Sequence, residues 1–217
     1  VAATGKHLGG FGQCAGGRNF APAVVSLRLL LDEILPPFEA AIARAGLRAV
    51  MPAHNEIDGV PCHADSWLLH DLLRRAWGFD GVVVSDYSDI ERLATLHRVA
   101  GDRSAAARAA LFAGVDMDLP AGASVAALQA FIEDDAEVRR AVDSAVGRVL
   151  RLKLDLGLFD NPFVDPGRAS ALVHSDEHVR LTRKAAEKSI VLLKNNDGLL
   201  PLAPHTLQRV AVVGPNA

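Results

Sequence analysis

The stretch Gly-Val-Val-Val-Ser-Asp at residues 81–86 is an apolar run that ends in a serine and the acid Asp86. An apolar run of this length next to a glycine is typical of a strand that is buried on both faces of a parallel sheet. In β/α barrels the active site lies at the carboxyl ends of such strands, which is where Asp86 stands. Residues 81–86 therefore predict a parallel α/β fold with Asp86 at its functional edge.

Strand-like and helix-like stretches alternate on both sides of that run. The other expected strands are residues 1–4, 48–53 and 114–119, and the expected helices are residues 26–45, 65–76, 105–113 and 134–156. Strands that alternate with amphipathic helices indicate a parallel sheet with helices packed against it. Four strands with their helices make half of an eight-stranded β/α barrel, so we expect the other half before Val1.

Polar residues follow each of the four expected strands. They are Lys6 and His7 after the first strand, His54, Asn55 and Glu56 after the second, Ser85 and Asp86 after the third, and Asp116 and Asp118 at the end of the fourth. Because the carboxyl ends of parallel strands meet at one face of a barrel, we expect these side chains to surround one pocket. From position alone, Asp86 suits a helix cap as well as a functional site, and Ser88 and Asp89 compete for the cap.

A change of composition marks the end of the barrel region. The last long helical pattern stops at Gly157, and Pro162 and Pro166 follow within a few residues. We expect a barrel region at residues 1–159, a linker at 160–175 and the start of a second α/β domain at 176–217. Within that last region, residues 176–188 predict a helix, and residues 190–194 and 210–213 predict strands.

The composition excludes several classes of protein. Of 217 residues, 50% are hydrophobic and 5% aromatic, which is typical of an α/β protein with an aliphatic core. The net charge of −3 and the lack of a Lys/Arg block argue against nucleic acid as a partner. No apolar run reaches the roughly 18 residues of a membrane span. Cys14 and Cys62 leave the redox compartment, and with it the location, open; the oligomeric state is open too.

The two ends predict that the chain is a piece of a longer protein. It begins at Val1 rather than at a methionine, inside an expected strand, and it stops soon after another aliphatic stretch. Half a barrel leaves sheet edges unpaired and a core uncovered. We therefore expect the isolated chain to be poorly soluble or molten.

Five motifs, taken together, identify a family. They are residues 6–12 (KHLGGFG), 56–64 (EIDGVPCHA), 77–86 (WGFDGVVVSD), 189–195 (SIVLLKN) and 212–217 (VVGPNA). In this order they resemble glycoside hydrolase family 3, and the similarity runs from end to end. The resemblance implies an α/β fold class: the C-terminal half of a (β/α)8 TIM-like barrel, followed by the start of an α/β sandwich domain.

The resemblance also implies a reaction. It implies a retaining exo-β-glycosidase that hydrolyses terminal non-reducing β-D-glucosyl or xylosyl residues of oligosaccharides or of aryl and alkyl β-glycosides. It implies Asp86 as the nucleophile of a covalent glycosyl-enzyme intermediate, Lys6 and His7 as ligands of sugar hydroxyls, and neither a metal nor an organic cofactor. Retaining enzymes use two carboxyl groups. In the glucosidase-like branch the second, a glutamate, is expected after Ala217, so we expect the isolated chain to be inactive.

Further substrate-binding candidates follow from the same match. His54 stands where the family often has tyrosine, and Tyr87 where many members have tryptophan. Met51 and Arg18 are also placed near the expected site, although core filling suits Met51 and a loop-bracing role suits Arg18. Lys6 and His7 are adjacent, so both can face one sugar only if the strand is irregular there. For Asp116 and Asp118, structural hydrogen bonds are favoured over a place in the pocket.

Other functions fit the sequence less well. A metal-dependent barrel hydrolase would use His7, His54, His63 and His70, but these form neither a His-x-His pair nor an i, i+4 pair. The family's β-N-acetylglucosaminidase branch carries a pattern close to KHFPGHG, whose proline and second histidine are missing here. A nucleotide site lacks Gly-x-Gly-x-x-Gly. A non-catalytic sugar-binding relative remains an open alternative.

Overall fold

The computed structural model describes residues 1–215, so Asn216 and Ala217 of the closing motif lie outside the described residues. The chain divides into two units, Val1–Pro162 and Phe163–Ala217. Among the described residues, no helix is both long enough and apolar enough to cross a membrane.

The first unit is built on a four-stranded parallel sheet. Its strands are β1 Thr4–Leu8, β2 Ala49–Pro52, β5 Val82–Tyr87 and β6 Met117–Leu119, and a small antiparallel hairpin is formed by β3 Glu56–Ile57 and β4 Val60–Pro61. The order in the main sheet is β1-β2-β5-β6, which follows the chain. Parallel strands in chain order with helices between them are the arrangement of a β/α barrel segment, so the predicted fold class is confirmed.

Helices connect these strands and agree with the sequence pattern to within a few residues. They are α1 Leu27–Leu29, a π-helix Leu30–Ile34, α2 Pro36–Ala45, a second π-helix Trp67–Ala76, α3 Asp89–Thr95, α4 Arg103–Ala113, α5 Ala123–Ala126 and α6 Ala136–Asp155. Side-chain caps begin several of them: the Asp102 carboxylate accepts from Ala105 N–H at 2.8 Å, and Asp135 accepts from Val138 N–H at 3.1 Å. Gly114 ends α4 in the left-handed conformation.

The core lies between the sheet and these helices. Val50 of β2 and Val83 of β5 are fully buried, as are Leu68, Leu69 and Leu73 of the second π-helix. Each side chain buried to this extent contributes about 1.5–3 kcal/mol through loss of apolar surface from water. The packed core therefore holds the strands, and with them the side chains at their carboxyl ends.

The prediction for the first strand is wrong in its position. Residues 1–4 were expected to be its last part, but β1 begins at Thr4, because its partner β2 begins opposite it at Ala49. Lys6 and His7 therefore belong to the strand. The pairing register shifts between Lys6 and Leu8, and the peptide bond between Lys6 and His7 is cis. The strand is thus irregular at the two residues for which irregularity was expected.

The second unit contains two helices, α7 Pro166–Leu172 and α8 Asp176–Ser189. The latter confirms the helix expected at residues 176–188, and the Ser175 hydroxyl caps it by accepting from His178 N–H at 3.4 Å. The strands expected at residues 190–194 and 210–213 are wrong, because no described strand pairs with either stretch. Their side chains are exposed, Leu193 to 91% and Val213 to 89%. An aliphatic stretch becomes a strand only when a neighbour satisfies its backbone hydrogen bonds.

Candidate active site

Three side chains from different strand ends meet at the carboxyl edge of the sheet. Oδ2 of Asp86 lies 3.1 Å from Nε2 of His7 and 3.1 Å from Nε2 of His54. Asp86 belongs to β5, His7 to β1, and His54 follows β2. All three side chains are largely shielded, with 13–17% of their surface exposed. The cluster predicted from residue positions is therefore present.

The backbone around Asp86 fixes its carboxylate. Asp86 N–H donates to Nε2 of His63 at 3.1 Å, and Tyr87 N–H donates to Oδ1 of Asp86 at 2.6 Å. One residue earlier, the buried Ser85 hydroxyl accepts from Leu119 N–H at 2.9 Å and ties β5 to β6. Oδ1 is thus occupied by the protein backbone, and Oδ2 faces the two histidines.

The pKa of Asp86 is lowered below its ordinary value. Burial of the carboxyl group is the largest single influence and raises the pKa, but the hydrogen bond from Tyr87 N–H and the charges of His54, His7 and Lys6 together outweigh it. Asp86 is therefore ionised at neutral pH. A fixed, ionised carboxylate meets the first requirement of a nucleophile.

His7 is held in its neutral form. Burial is the main cause of its lowered pKa, the Lys6 ammonium adds to the shift, and Asp86 opposes it. Because Asp86 is ionised and only accepts, the contact at 3.1 Å is a hydrogen bond that Nε2–H of His7 donates. Lys6 itself is exposed and forms no ion pair with Asp86 in the part of the chain that the structure describes.

Asp89 orients His54. Oδ2 of Asp89 lies 2.6 Å from Nδ1 of His54, and Oδ1 accepts from Nη1 of Arg92 at 2.8 Å. The Asp89 side chain is only 3% exposed. The two ring nitrogens of His54 thus face different carboxylates, Nδ1 that of Asp89 and Nε2 that of Asp86. Asp89 thus aims Nε2 of His54 at Asp86.

This contact overturns the prediction that Asp89 or Ser88 caps the helix after Asp86. Ser88 occupies the N-cap position of α3 with φ 60°, and its side chain makes no capping hydrogen bond. The Asp89 carboxylate is occupied by His54 and Arg92, which neutralise it better than a backbone N–H would. Only the three-dimensional fold brings Asp89 to His54, since 35 residues separate them in the sequence.

His63, which the sequence suggested only as a metal candidate, contacts both Asp86 and Asp89. It is buried, and its Nε2 accepts the Asp86 N–H, so that nitrogen carries no proton. Nδ1 of His63 lies 3.5 Å from Oδ2 of Asp89. Burial lowers its pKa to about 4, even though Asp89 and Asp86 favour the charged form. His63 is therefore a neutral support for both carboxylates.

Two phenylalanines that sequence reasoning did not single out surround the imidazole rings. The Phe11 ring lies 4.8 Å from the His7 ring, and the Phe20 ring lies 4.6 Å from the His54 ring. The Arg92 guanidinium stacks over Phe20 at 4.8 Å. These apolar faces beside polar ring nitrogens make a surface that offers both stacking and hydrogen bonds. Both residues lie in the glycine-rich loop after β1, which has no regular apolar pattern.

Gly9 and Cys62, which belong to two of the sequence motifs, shape the loop after β1. Gly9 has φ 118°, and a Cβ added there would lie 2.4 Å from Sγ of Cys62, so a larger residue does not fit. The buried Asn55 amide donates to Gly9 C=O at 2.8 Å. The loops that follow β1 and β2 are therefore locked together beside His7 and His54.

The other predicted site residues stand apart from the cluster. Tyr87 is 61% exposed at the end of β5, Arg18 is exposed in its loop, and Met51 is nearly buried in β2 at 9%. None of these side chains forms a hydrogen bond or an ion pair with His7, His54 or Asp86 among residues 1–215. Their roles in substrate binding stay predictions.

Asp116 and Asp118 have the structural roles that the sequence favoured. The fully buried Asp116 carboxylate pairs with Arg74 and Arg148, both at 2.7 Å, and accepts from Val83 N–H at 2.8 Å. Asp118 accepts from Ser124 N–H at 2.8 Å and so anchors α5.

The comparisons with known proteins agree with this geometry. The profile of the Glycosyl hydrolase family 3 N terminal domain matches residues 1–152. A putative β-xylosidase of Formosa agariphila is 41% identical over 215 residues, which cover 99% of this chain and 28% of the relative. A periplasmic β-glucosidase of Salmonella typhimurium is 38% identical over 217 residues, or 98% of this chain and 28% of the relative.

Solved structures give the same result. A β-glucosidase of Erythrobacter marinus matches 93% of this chain and 27% of its own with a TM-score of 0.88 and 46% identity. A β-glucosidase of Listeria innocua in complex with glucose matches 94% of this chain and 28% of its own, with a TM-score of 0.86 and 36% identity. The chain spans just over a quarter of the relatives' length. It belongs to glycosyl hydrolase family 3, and its residues 1–152 match the N-terminal domain of that family.

Proposed function

We propose that this chain supplies the nucleophile and part of the sugar site of a retaining exo-β-glycosidase acting on terminal non-reducing β-D-glucosyl or β-D-xylosyl residues. One observation carries the proposal: the ionised Asp86 carboxylate is fixed at a strand end, with Oδ1 held by the Tyr87 N–H and Oδ2 facing two imidazoles. The relatives' names support the two sugars, since they include β-xylosidases and β-glucosidases.

The carboxylate of Asp86 acts by attacking the anomeric carbon of the bound sugar. A bond forms between its oxygen and that carbon, while the glycosidic bond breaks and the leaving oxygen takes a proton from an acid. Water then attacks the glycosyl ester and releases both the sugar and the Asp86 carboxylate. The low pKa of Asp86 supports both steps, because the group is charged before attack and leaves readily afterwards.

The two imidazoles bind the sugar beside the reacting carbon. His7 and His54 each direct Nε2 toward Oδ2 of Asp86, so a hydroxyl group next to the anomeric carbon meets donors on both sides. Lys6 adds positive charge at longer range. Because these groups are held by the strands and by Asp89, little positioning entropy remains to be lost on binding.

The acid/base is proposed to come from outside this chain. A retaining mechanism needs a second carboxyl group about 5–5.5 Å from the first. Among the described residues, Asp89 carries a second carboxylate that contacts His54. It is 3% exposed and is held by His54 and Arg92. It is therefore shielded from a leaving group. We propose a glutamate after Ala217, in the second domain that begins within residues 176–217.

The substrate class follows from the relatives. Among the matching structures, the Listeria innocua β-glucosidase is found in complex with glucose and, as a mutant, with laminaribiose, and an exo-β-xylosidase is found in complex with a xylobiose-derived probe. For this protein we propose short oligosaccharides or aryl and alkyl β-glycosides. A panel of 4-nitrophenyl glycosides, with the full-length protein, distinguishes a glucosidase from a xylosidase.

The nucleophile is tested by trapping. The full-length protein is treated with an activated 2-fluoro-2-deoxy-β-glucoside, or with the corresponding xyloside, and the peptides are examined by mass spectrometry. We expect the label on Asp86 alone. Asp86→Asn keeps the shape of the side chain but removes its charge, so it should stay unlabelled and lose about 10³-fold or more of kcat.

Two results would contradict the proposal. A label on any other residue would move the nucleophile, and wild-type kcat in Asp86→Asn would rule out a covalent mechanism through this residue. If neither labelling nor turnover of any β-glycoside is found while sugar still binds, the protein is instead a non-catalytic sugar-binding relative.

A further inference from the structure

We propose that Nε2 of His7, Nε2 of His54 and Oδ2 of Asp86 form a binding site for a divalent transition-metal ion of the Zn²⁺ type. The ion would not take part in hydrolysis; it would occupy the sugar site and inhibit the enzyme. The inhibition rests on the proposed function, whereas the binding rests on the geometry alone.

The three atoms have the separations of ligands to one ion. All lie within 4.8 Å of one another, and each nitrogen lies 3.1 Å from Oδ2. Ligands at the usual zinc bond length of about 2.0–2.2 Å are roughly 3.3 Å apart in a tetrahedral site. Two imidazole nitrogens and one carboxylate oxygen favour zinc, copper or nickel over magnesium or calcium.

Asp89 does not touch the proposed ion but holds the other ring nitrogen of His54. A histidine that binds zinc through one nitrogen almost always donates its other N–H to a carboxylate or carbonyl. In His54 that bond is already present, from Nδ1 to Oδ2 of the buried Asp89 at 2.6 Å. An arriving ion therefore finds the His54 ring already aimed.

Nearby charge opposes the ion. Lys6 directly precedes His7 in β1, so its ammonium charge repels a cation at this site. With three protein ligands and one neighbouring positive charge, we expect reversible binding that a chelator removes, not a permanent structural ion. Since the ion holds Oδ2 of Asp86, the nucleophile cannot reach a sugar while the ion is bound.

Calorimetry with zinc chloride tests the binding on the full-length protein. We expect the wild-type protein to bind one equivalent of Zn²⁺. The variants His7→Gln and His54→Phe should each bind this ion at least ten-fold more weakly. Asp89→Asn leaves all three ligands in place and should weaken the same site about 10–100-fold, the usual effect of a second-layer partner. His70→Gln, which removes an exposed histidine outside the cluster, is the matched control and should bind as wild type does.

A second measurement avoids reliance on folded variants. Cobalt(II) added to the wild-type protein should give visible absorption bands that saturate at one equivalent, and zinc should abolish them. Equal zinc binding in wild type, His7→Gln and His54→Phe, or no cobalt spectrum in wild type, would overturn the site. Labelling of Asp86 by the 2-fluoro glycoside uses no metal, so its success or failure judges the proposed function separately.

Discussion

Asp86 combines two kinds of neighbour that act on different oxygens. The Tyr87 N–H occupies Oδ1, which fixes the plane of the carboxylate, while His7 and His54 face Oδ2. Burial alone would raise its pKa and favour the uncharged form, yet the hydrogen bond and the nearby positive charge reverse that effect. Residues with such opposed influences are frequent at functional sites.

Asp89 is expected to act as a positioning residue for His54. Replacing it by asparagine keeps the volume but removes the charge that holds Nδ1–H, and a hydrogen bond to a charged group is worth about 1.5–3 kcal/mol. We expect kcat/KM of the full-length Asp89→Asn variant to fall roughly 10–100-fold.

The control for that variant lies on the same helix. Glu91→Gln removes an exposed acid of α3 that pairs with Arg103 outside the cluster, and it should leave kcat/KM unchanged. A merely structural role for Asp89 would lower the free energy of unfolding and leave kcat/KM of the folded enzyme unchanged. An Asp89→Asn enzyme with wild-type kinetics would show that His54 needs no orientation.

His63 makes stability depend on pH. Its pKa falls from an ordinary value of 6.5 to about 4 in the fold, so the unfolded chain binds more protons between these values. The contribution of His63 to the free energy of unfolding is therefore fully present above pH 6.5. It is lost as the pH falls toward 4, by up to about 3 kcal/mol. His63→Gln keeps an acceptor for Asp86 N–H but cannot titrate, so its stability should fall less on acidification.

Chemical unfolding of the full-length proteins at about pH 7 and about pH 5 measures this difference. His70→Gln removes an exposed histidine and should follow wild type at both values. A His63→Gln protein that loses as much stability as wild type would show that other groups cause the acid sensitivity.

The elements of the first unit are held in place by one buried charge network. Asp116 precedes β6, accepts from Val83 N–H of β5, and pairs with Arg74 of the second π-helix and Arg148 of α6. Removing one member of a buried ion network leaves the others unpaired, at a cost of about 3–5 kcal/mol. We expect Asp116→Ala to lower the free energy of unfolding by that amount, measured by chemical unfolding.

Asp71→Ala is the matched control, because Asp71 is an exposed acid on the same π-helix that pairs only with surface groups. It should leave the unfolding midpoint close to that of wild type. If both substitutions have the same small effect, the Asp116 network does not hold these elements together.

The sequence predicted the elements whose signal is local. Apolar runs predicted β2, β5 and β6, helical patterns predicted α4 and α6, and residues after strand ends predicted the cluster of His7, His54 and Asp86. Contacts made only in three dimensions were not predictable. Asp89 was assigned to a local cap because its partner is 35 residues away, and ligands on different strands leave no metal-binding spacing in the sequence.

Over the whole molecule, the two units differ in how far they bury their apolar residues. The first unit contains the buried core, whereas in residues 163–215 every side chain is exposed apart from the half-buried Ser175 and Asn195. The aliphatic runs at residues 190–193 and 210–213 nevertheless have the composition of strands buried in a sheet. Local pattern cannot reveal whether a partner strand is at hand, which is why these two strands were predicted and not found.

Hydrogen exchange tests the proposal that residues 176–217 begin a second α/β domain. In the isolated 217-residue chain, backbone amides at 190–194 and 210–213 lack partner strands, so we expect them to exchange at nearly the rate of an unfolded peptide. In the full-length protein the same amides should be protected about 100-fold or more, because a completed sheet would bond them. The amides of Val82, which donates to Arg48 C=O, and of Val83, which donates to the Asp116 carboxylate, are the internal control and should be protected in the full-length protein. Rapid exchange at 190–194 in the full-length protein would mean that this stretch is no strand there either, and the boundaries proposed for the second domain would fail with it.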